Sequence, residues 1–136
     1  MQEKTKTFWR IFFVFAGLWN VGIANYFILN LSVGMEIITG FNTQEPHTLY
    51  VFFLFWFCIA AFGLAFWQVA YDLRHNRAFL YLAIIGKSLI CASFTYGYLK
   101  NLATMLTVWI GIGDVLWAAF FVVFLYHSRE NALKNL

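Results

Sequence analysis

Residues 78–126 read AFLYLAIIGKSLICASFTYGYLKNLATMLTVWIGIGDVLWAAFFVVFLY. Two long apolar runs, Ala78–Leu99 and Leu102–Tyr126, flank the pair Lys100–Asn101, and each run carries one charge inside it, Lys87 and Asp114. About 20 residues of α-helix cross the hydrocarbon core of a bilayer, so both runs are long enough to span it. Helix is the secondary structure that fits, because in lipid every backbone N–H and C=O must be satisfied within its own segment. The alternating strands of a membrane barrel are absent. A two-residue connection predicts an antiparallel hairpin centred between Lys100 and Asn101. Lys87 and Asp114 lie 13.5 positions on either side of that centre. They are therefore expected at equal depth, about 20 Å below the turn at a rise of about 1.5 Å per residue.

Rotation about the two axes agrees with depth. Ala83, Lys87, Cys91, Phe94 and Tyr98 share one stripe of the first run, and Thr107, Gly111, Asp114 and Ala118 share one stripe of the second. Gly86 beside Lys87, and Gly111 and Ala118 flanking Asp114, are small enough to let the backbones approach. A central charge costs about 2.5–3.5 kcal/mol on insertion scales, so an intramembrane Lys and Asp at one depth are expected to pair.

Working outward, Ile11–Leu31 and Leu49–Tyr71 supply two further apolar runs of spanning length. The composition agrees: of 136 residues, 62% are hydrophobic, 22% aromatic and only 11% charged, with mean hydropathy +0.72. Soluble domains carry about 25% charged residues. This balance excludes a soluble enzyme, a nucleic-acid reader and a disordered segment. The expected fold is an all-α membrane protein, one transmembrane domain over residues 1–136 with four antiparallel helices at about 11–31, 49–71, 78–99 and 102–126.

Charge sets the expected orientation. Lys4, Lys6, Arg10, Arg74, Arg77, Arg129 and Lys134 fall on one side, against Lys100 alone on the other. By the positive-inside bias both termini are expected in the cytoplasm, N-in/C-in. The basic N-terminus followed by an apolar run imitates a signal peptide. The run is too long and ends without a small-residue cleavage site, so it reads as a retained first helix. The longest loop, Ser32–Thr48, holds Gly34, Gly40 and the sole proline, Pro46, and its Met35–Ile38 segment is expected at the outer interface. Trp9, Tyr71, Tyr81, Tyr98 and Tyr126 fit interfacial belts.

Other polar residues extend the central pair. Asn20 and Asn25 bracket the depth of Asp114 on the first helix, and Asn20 shares a stripe with Ala16, Ala24 and Phe27. An Asn20 amide facing the bundle is expected to donate to Asp114 and accept from Lys87. The candidate binding or proton site is therefore Lys87, Asp114 and Asn20, supported by Asn25, Thr107, Gly86 and Gly111. Cys58 and Cys91 also match in depth, but without a C-x-x-C pair they read as small packing residues. His75, His127 and Asp72 at the cytoplasmic edge read as solvated. Neither a metal nor a cofactor is expected.

Asn20, Gly86–Lys87, and Gly113–Asp114 followed by Trp117, Phe120 and Phe121 give the chain a layout that resembles small bacterial four-helix inner-membrane proteins of unassigned function. The resemblance covers most of the length, implies the bacterial inner membrane, and carries over no catalytic residue. The seven-to-one charge bias separates the chain from dual-topology multidrug-type transporters, and a membrane glutamate in the first helix is missing.

Three readings of function follow. The first is a non-enzymatic accessory or hydrophobic-ligand-binding protein, with the lipid bilayer, a membrane-protein partner or homo-oligomer, and a hydrophobic ligand as candidate partners and no nucleic acid. The second is a proton-coupled transporter of a small solute, Asp114 being the proton site and Lys87 the anion or counter-charge site. An enzyme ranks third, since no nucleophile–base arrangement is visible. Against all three stands a purely structural role, in which the pair locks the register of the hairpin.

Overall fold

The computed structural model describes residues 3–133, with side-chain surroundings described for residues 3–128. Within them the chain is all-helical: α1 (Glu3–Leu29), α2 (Leu31–Thr39), α3 (Pro46–Tyr71), α4 (Arg77–Leu99) and α5 (Met105–Leu133). Four of these, α1, α3, α4 and α5 up to Ser128, are long and apolar enough to cross a membrane. Lys134, counted above with the cytoplasmic charges, lies outside the described residues, as does the side chain of Arg129.

The fifth helix is a correction. The segment read as the end of the first span and the start of a loop is a short helix, α2. It stops at Gly40, which takes φ 78° and donates its N–H to the Glu36 carbonyl. A left-handed residue is the usual C-terminal stop and glycine adopts it without a Cβ clash. The chain then turns into α3, whose start is fixed by Pro46 in its first turn and by the Glu45 side chain. Glu45 accepts from the backbone N–H groups of His47 and Thr48 and from the Thr48 hydroxyl. These bonds hold the Glu45 carboxyl below its ordinary pKa, the Thr48 hydroxyl contributing most.

The α4–α5 connection is also longer than read, running over residues 100–104 rather than two residues. Asn101 takes φ 57°, and the Leu102 N–H returns to the Gly97 carbonyl. The chain thus folds back beside the last turn of α4 before α5 begins. Thr104 anchors this segment to the end of α2, its N–H on the Ile38 carbonyl and its hydroxyl on the Ile37 carbonyl. The extra residues therefore do not shift the hairpin register. Lys87 still faces Asp114, and a Cβ on Gly111 would lie 2.9 Å from the Cys91 Cα.

Packing divides into two tight pairs, α1 on α3 and α4 on α5. In the first pair, a Cβ added at Gly17 would lie 2.7 Å from the Gly63 carbonyl oxygen, and one at Gly63 would lie 2.9 Å from the Gly17 oxygen. That closeness also lets the Trp67 indole N–H donate to the Val14 carbonyl at 3.1 Å. Where lipid supplies no hydrophobic drive between helices, such close backbone packing and interhelical bonds hold a bundle together.

All four long helices meet in one apolar cluster containing Trp9, Phe13, Phe66, Leu80, Phe121 and Phe124. Its rings interlock, with Phe13 against Phe124 at 5.0 Å and Phe66 against Phe121 at 5.0 Å. Trp9 is 5% exposed and packs edge-on against Phe124, so it belongs to the core and not to an interfacial belt. Tyr71, Tyr81, Tyr98 and Tyr126 are exposed, as expected. A second cluster joins Ala24 and Phe27 of α1, Ile38 of α2, and Phe52 and Trp56 of α3.

Candidate functional site

Between the two apolar clusters lies a polar layer. Along α1, Phe13 and Ala16 belong to the first cluster and Ala24 and Phe27 to the second, and Asn20 stands between them, buried. Along α4, Lys87 is buried one turn beyond Ala83. On α5, Asp114 precedes Ala118 and Phe121 on the inward stripe. The Lys87 ammonium donates to an Asp114 carboxylate oxygen. Their side chains are 10% and 18% exposed, so the pair is almost wholly removed from solvent. Equal depth and a shared rotational face bring these two together as the sequence reading required.

The supporting residues divide. Gly111 is where the helices touch: its buried position faces Cys91, and only a residue without Cβ fits. Gly86 has no such role, because a Cβ there would meet nothing within 4 Å. Its adjacency to Lys87 turns it about 100° around α4, off the face that meets α5. Thr107 is fully buried, yet its hydroxyl donates to the Thr104 carbonyl in the first turn of α5, away from the pair. Asn25 is exposed. Asn20 comes to the right place without the expected bonds. It lines the same cavity as Lys87 and Asp114, but its amide makes no hydrogen bond to another described residue. Cys58 and Cys91 are both free thiols. Among the described residues, no group of three His, Cys, Asp or Glu side chains is placed to hold a metal.

That inner cavity, about 50 Å³, is also lined by Trp19, Trp56, Phe94 and Ile110. Trp56 stacks on Phe27 with ring centroids 4.2 Å apart, and its buried indole N–H has no hydrogen-bond partner. Next to it, α1 and α5 stand apart and leave a larger cleft of about 470 Å³. Its lining includes Trp19, Gly22, Tyr26, Trp109, Gly113 and Trp117, together with Asp114. Cavity and cleft share Trp19, Ile23, Ile110 and Asp114, so they adjoin at these four residues. Trp19, Tyr26 and Trp109 are exposed on the apolar exterior, which opens the cleft sideways. A cleft of a few hundred Å³ with aromatic walls and a few convergent polar groups has the usual make-up of a small-molecule site.

The sequence reading missed both Trp56 as a site residue and the cleft itself. The glycines on its walls give the signal: a Cβ at Gly22 or Gly113 would meet nothing within 4 Å. Small residues there leave a gap between helices instead of closing one. Gly17 and Gly63, which close the α1–α3 contact, were also unread, although Gly17 shares the inward stripe with Phe13, Asn20 and Ala24.

At the α3–α4 turn, Asp72 accepts from the backbone N–H groups of Arg74 at 2.9 Å and His75 at 3.1 Å, and its other oxygen contacts the His75 ring at 2.7 Å. These bonds, the His75 N–H foremost, lower the Asp72 pKa to about 2. The cluster organises a tight turn and is remote from the Lys87–Asp114 layer.

No family model, curated protein or solved structure matches the chain.

Proposed function

We propose that the protein is a small multi-pass membrane protein, without chemistry of its own, that binds a hydrophobic ligand in the cleft between α1 and α5. The observation carrying this reading is the position of Asp114, which lines both an aromatic cleft open to the exterior and the small cavity that also holds Lys87 and Asn20. A pair serving only as a register lock needs neither space. The proposed setting is a four-helix N-in/C-in bundle in a cell membrane, with the bacterial inner membrane favoured by the resemblance in layout. The charge bias of the loops supports the orientation. An accessory role, in which the bound ligand or the exposed apolar faces meet a protein partner, belongs to the same reading.

A long-chain alkyl probe carrying a diazirine tests it directly. Saturable photolabelling of the Trp19–Tyr26 and Trp109–Trp117 segments is expected; uniform, non-saturable labelling of every lipid-facing helix would refute it. The transporter reading retains one supporting feature, the access of Asp114 from two spaces. A proton-linked solute flux in liposomes, abolished by Asp114→Asn, is the result it requires.

A further inference from the structure

We infer that the inner cavity is a hydration site, in which one or more buried waters join Asn20 of α1 to the Lys87–Asp114 pair of α4 and α5. The inference concerns the polar layer and does not depend on the α1–α5 cleft holding a ligand.

The hydrogen-bonding groups around the cavity carry it. Asn20 is 8% exposed and lines the cavity, yet its amide has no partner among the described residues. That amide brings two N–H donors and an acceptor oxygen. Lys87 spends one of its three N–H bonds on Asp114 Oδ1, and the second Asp114 oxygen has no hydrogen bond among the described residues. Donors and acceptors therefore both stand unused around one space. In an apolar interior such groups are costly to leave unmade. Water donates and accepts, so it can meet both kinds at once. A buried water needs about 10–15 Å³ of space and about two to four polar partners. The cavity offers about 50 Å³ and the three side chains named. The Trp56 indole N–H is fully enclosed and takes no part.

Position gives the water its role. Residues of all four long helices line the cavity, Asn20, Ile59, Lys87 and Asp114 among them. The interhelical side-chain bonds described above stay within one helix pair: Trp67 ties α3 to α1, and Lys87 ties α4 to α5. Water between Asn20 and the ion pair adds a polar link from one pair to the other, at the level where the two apolar clusters part. A bridging water is nearly as good enthalpically as a direct hydrogen bond. The Asn20 contact expected from the sequence is then made through solvent.

Two measurements on the full chain test this. NMR cross-relaxation in micelles should give a cross-peak between the Asn20 side-chain amide and water, with the sign of a long-lived bound molecule. Its absence would overturn the inference. Reversible unfolding then compares Asn20→Leu in two backgrounds, the native chain and Lys87→Met combined with Asp114→Leu. In the native chain, loss of a water-bridged amide should lower the ratio of folded to unfolded protein about 2- to 10-fold. In the double background the water has lost its other polar partners, so the same substitution should leave the ratio unchanged or raise it. A rise in the native chain would mean that Asn20 is an unpaired amide in a dry cavity. An equal fall in both backgrounds would assign the loss to the shape of Leu. Either result would overturn the inference. If Asn20→Leu fails to fold, the cross-peak decides alone.

Discussion

Removing one member of the Lys87–Asp114 pair leaves the other charged, buried and unpaired. With side chains 10% and 18% exposed, neither can turn to solvent without the helices separating. The cost should approach that of a lone charge at a helix centre, about 3 kcal/mol. That is on the order of a hundredfold in the ratio of folded to unfolded protein. Lys87→Met keeps volume near the native side chain and the bulkier Leu of Asp114→Leu opens no cavity, so cavity effects stay small. The double variant has no charge to strand, and replacement of a buried pair by apolar residues is often neutral or better. It should lie within about 1 kcal/mol of the native protein. The interaction energy of the cycle then exceeds about 3 kcal/mol, well above the roughly 0.6 kcal/mol average for interhelical polar contacts in a membrane protein. Reversible unfolding of the four proteins in mixed micelles measures it. Single variants within 0.5 kcal/mol of native, or a double variant as unstable as both singles summed, would refute the reasoning.

The glycines give opposite expectations at sites of similar sequence. Ala at Gly111 would put a Cβ 2.9 Å from the Cys91 backbone, and Ala at Gly17 one 2.7 Å from the Gly63 oxygen, so each should lose about 1–3 kcal/mol in the same unfolding assay. Ala at Gly22, Gly86 or Gly113 enters open space and should gain up to about 1 kcal/mol from helix propensity; a loss at these three would contradict the packing described. At the α3–α4 turn, the Asp72 pKa is lowered, so its contribution is complete above the ordinary carboxylate value, about 3.9, and is lost as pH falls through about 2. Amide shifts of Arg74 and His75 followed by NMR in micelles should titrate with a midpoint near 2; a midpoint near the ordinary value would show the turn bonds unformed.

What the sequence made legible follows from which interactions depend on spacing alone. Four apolar runs and one charge in each of two adjacent runs are enough to place Lys87 opposite Asp114, because helical rise converts residue counts into depth. The register survived even though the connection is longer than it reads, since the Leu102 bond to Gly97 folds the excess back along α4. Burial of Asn20 was equally legible from its stripe. Its missing hydrogen bonds were not, because they depend on how far α1 stands from α5, a separation that no single helix encodes. The same holds for the cleft. Gly86, expected to let the backbones approach, faces open space in the fold, as do Gly22 and Gly113 on the cleft walls. Only pairing preferences across helices, α1 with α3 and α4 with α5, tell contact glycines from open ones. Trp9 misled for a related reason: an aromatic near a helix end suits a belt or a core equally, and Phe13 and Phe124 draw it inward.

The central claim is that the α1–α5 cleft holds a ligand, and its own glycines offer the sharpest test. Gly22→Leu combined with Gly113→Leu fills the cleft from two walls where an added Cβ meets no neighbour, so folded yield should be kept. Lipid extraction and mass spectrometry of native and filled proteins, purified side by side, provide the comparison. The account predicts a hydrophobic ligand in near-stoichiometric amount with the native protein and its loss from the filled one. Identical extracts from two equally folded proteins would contradict it.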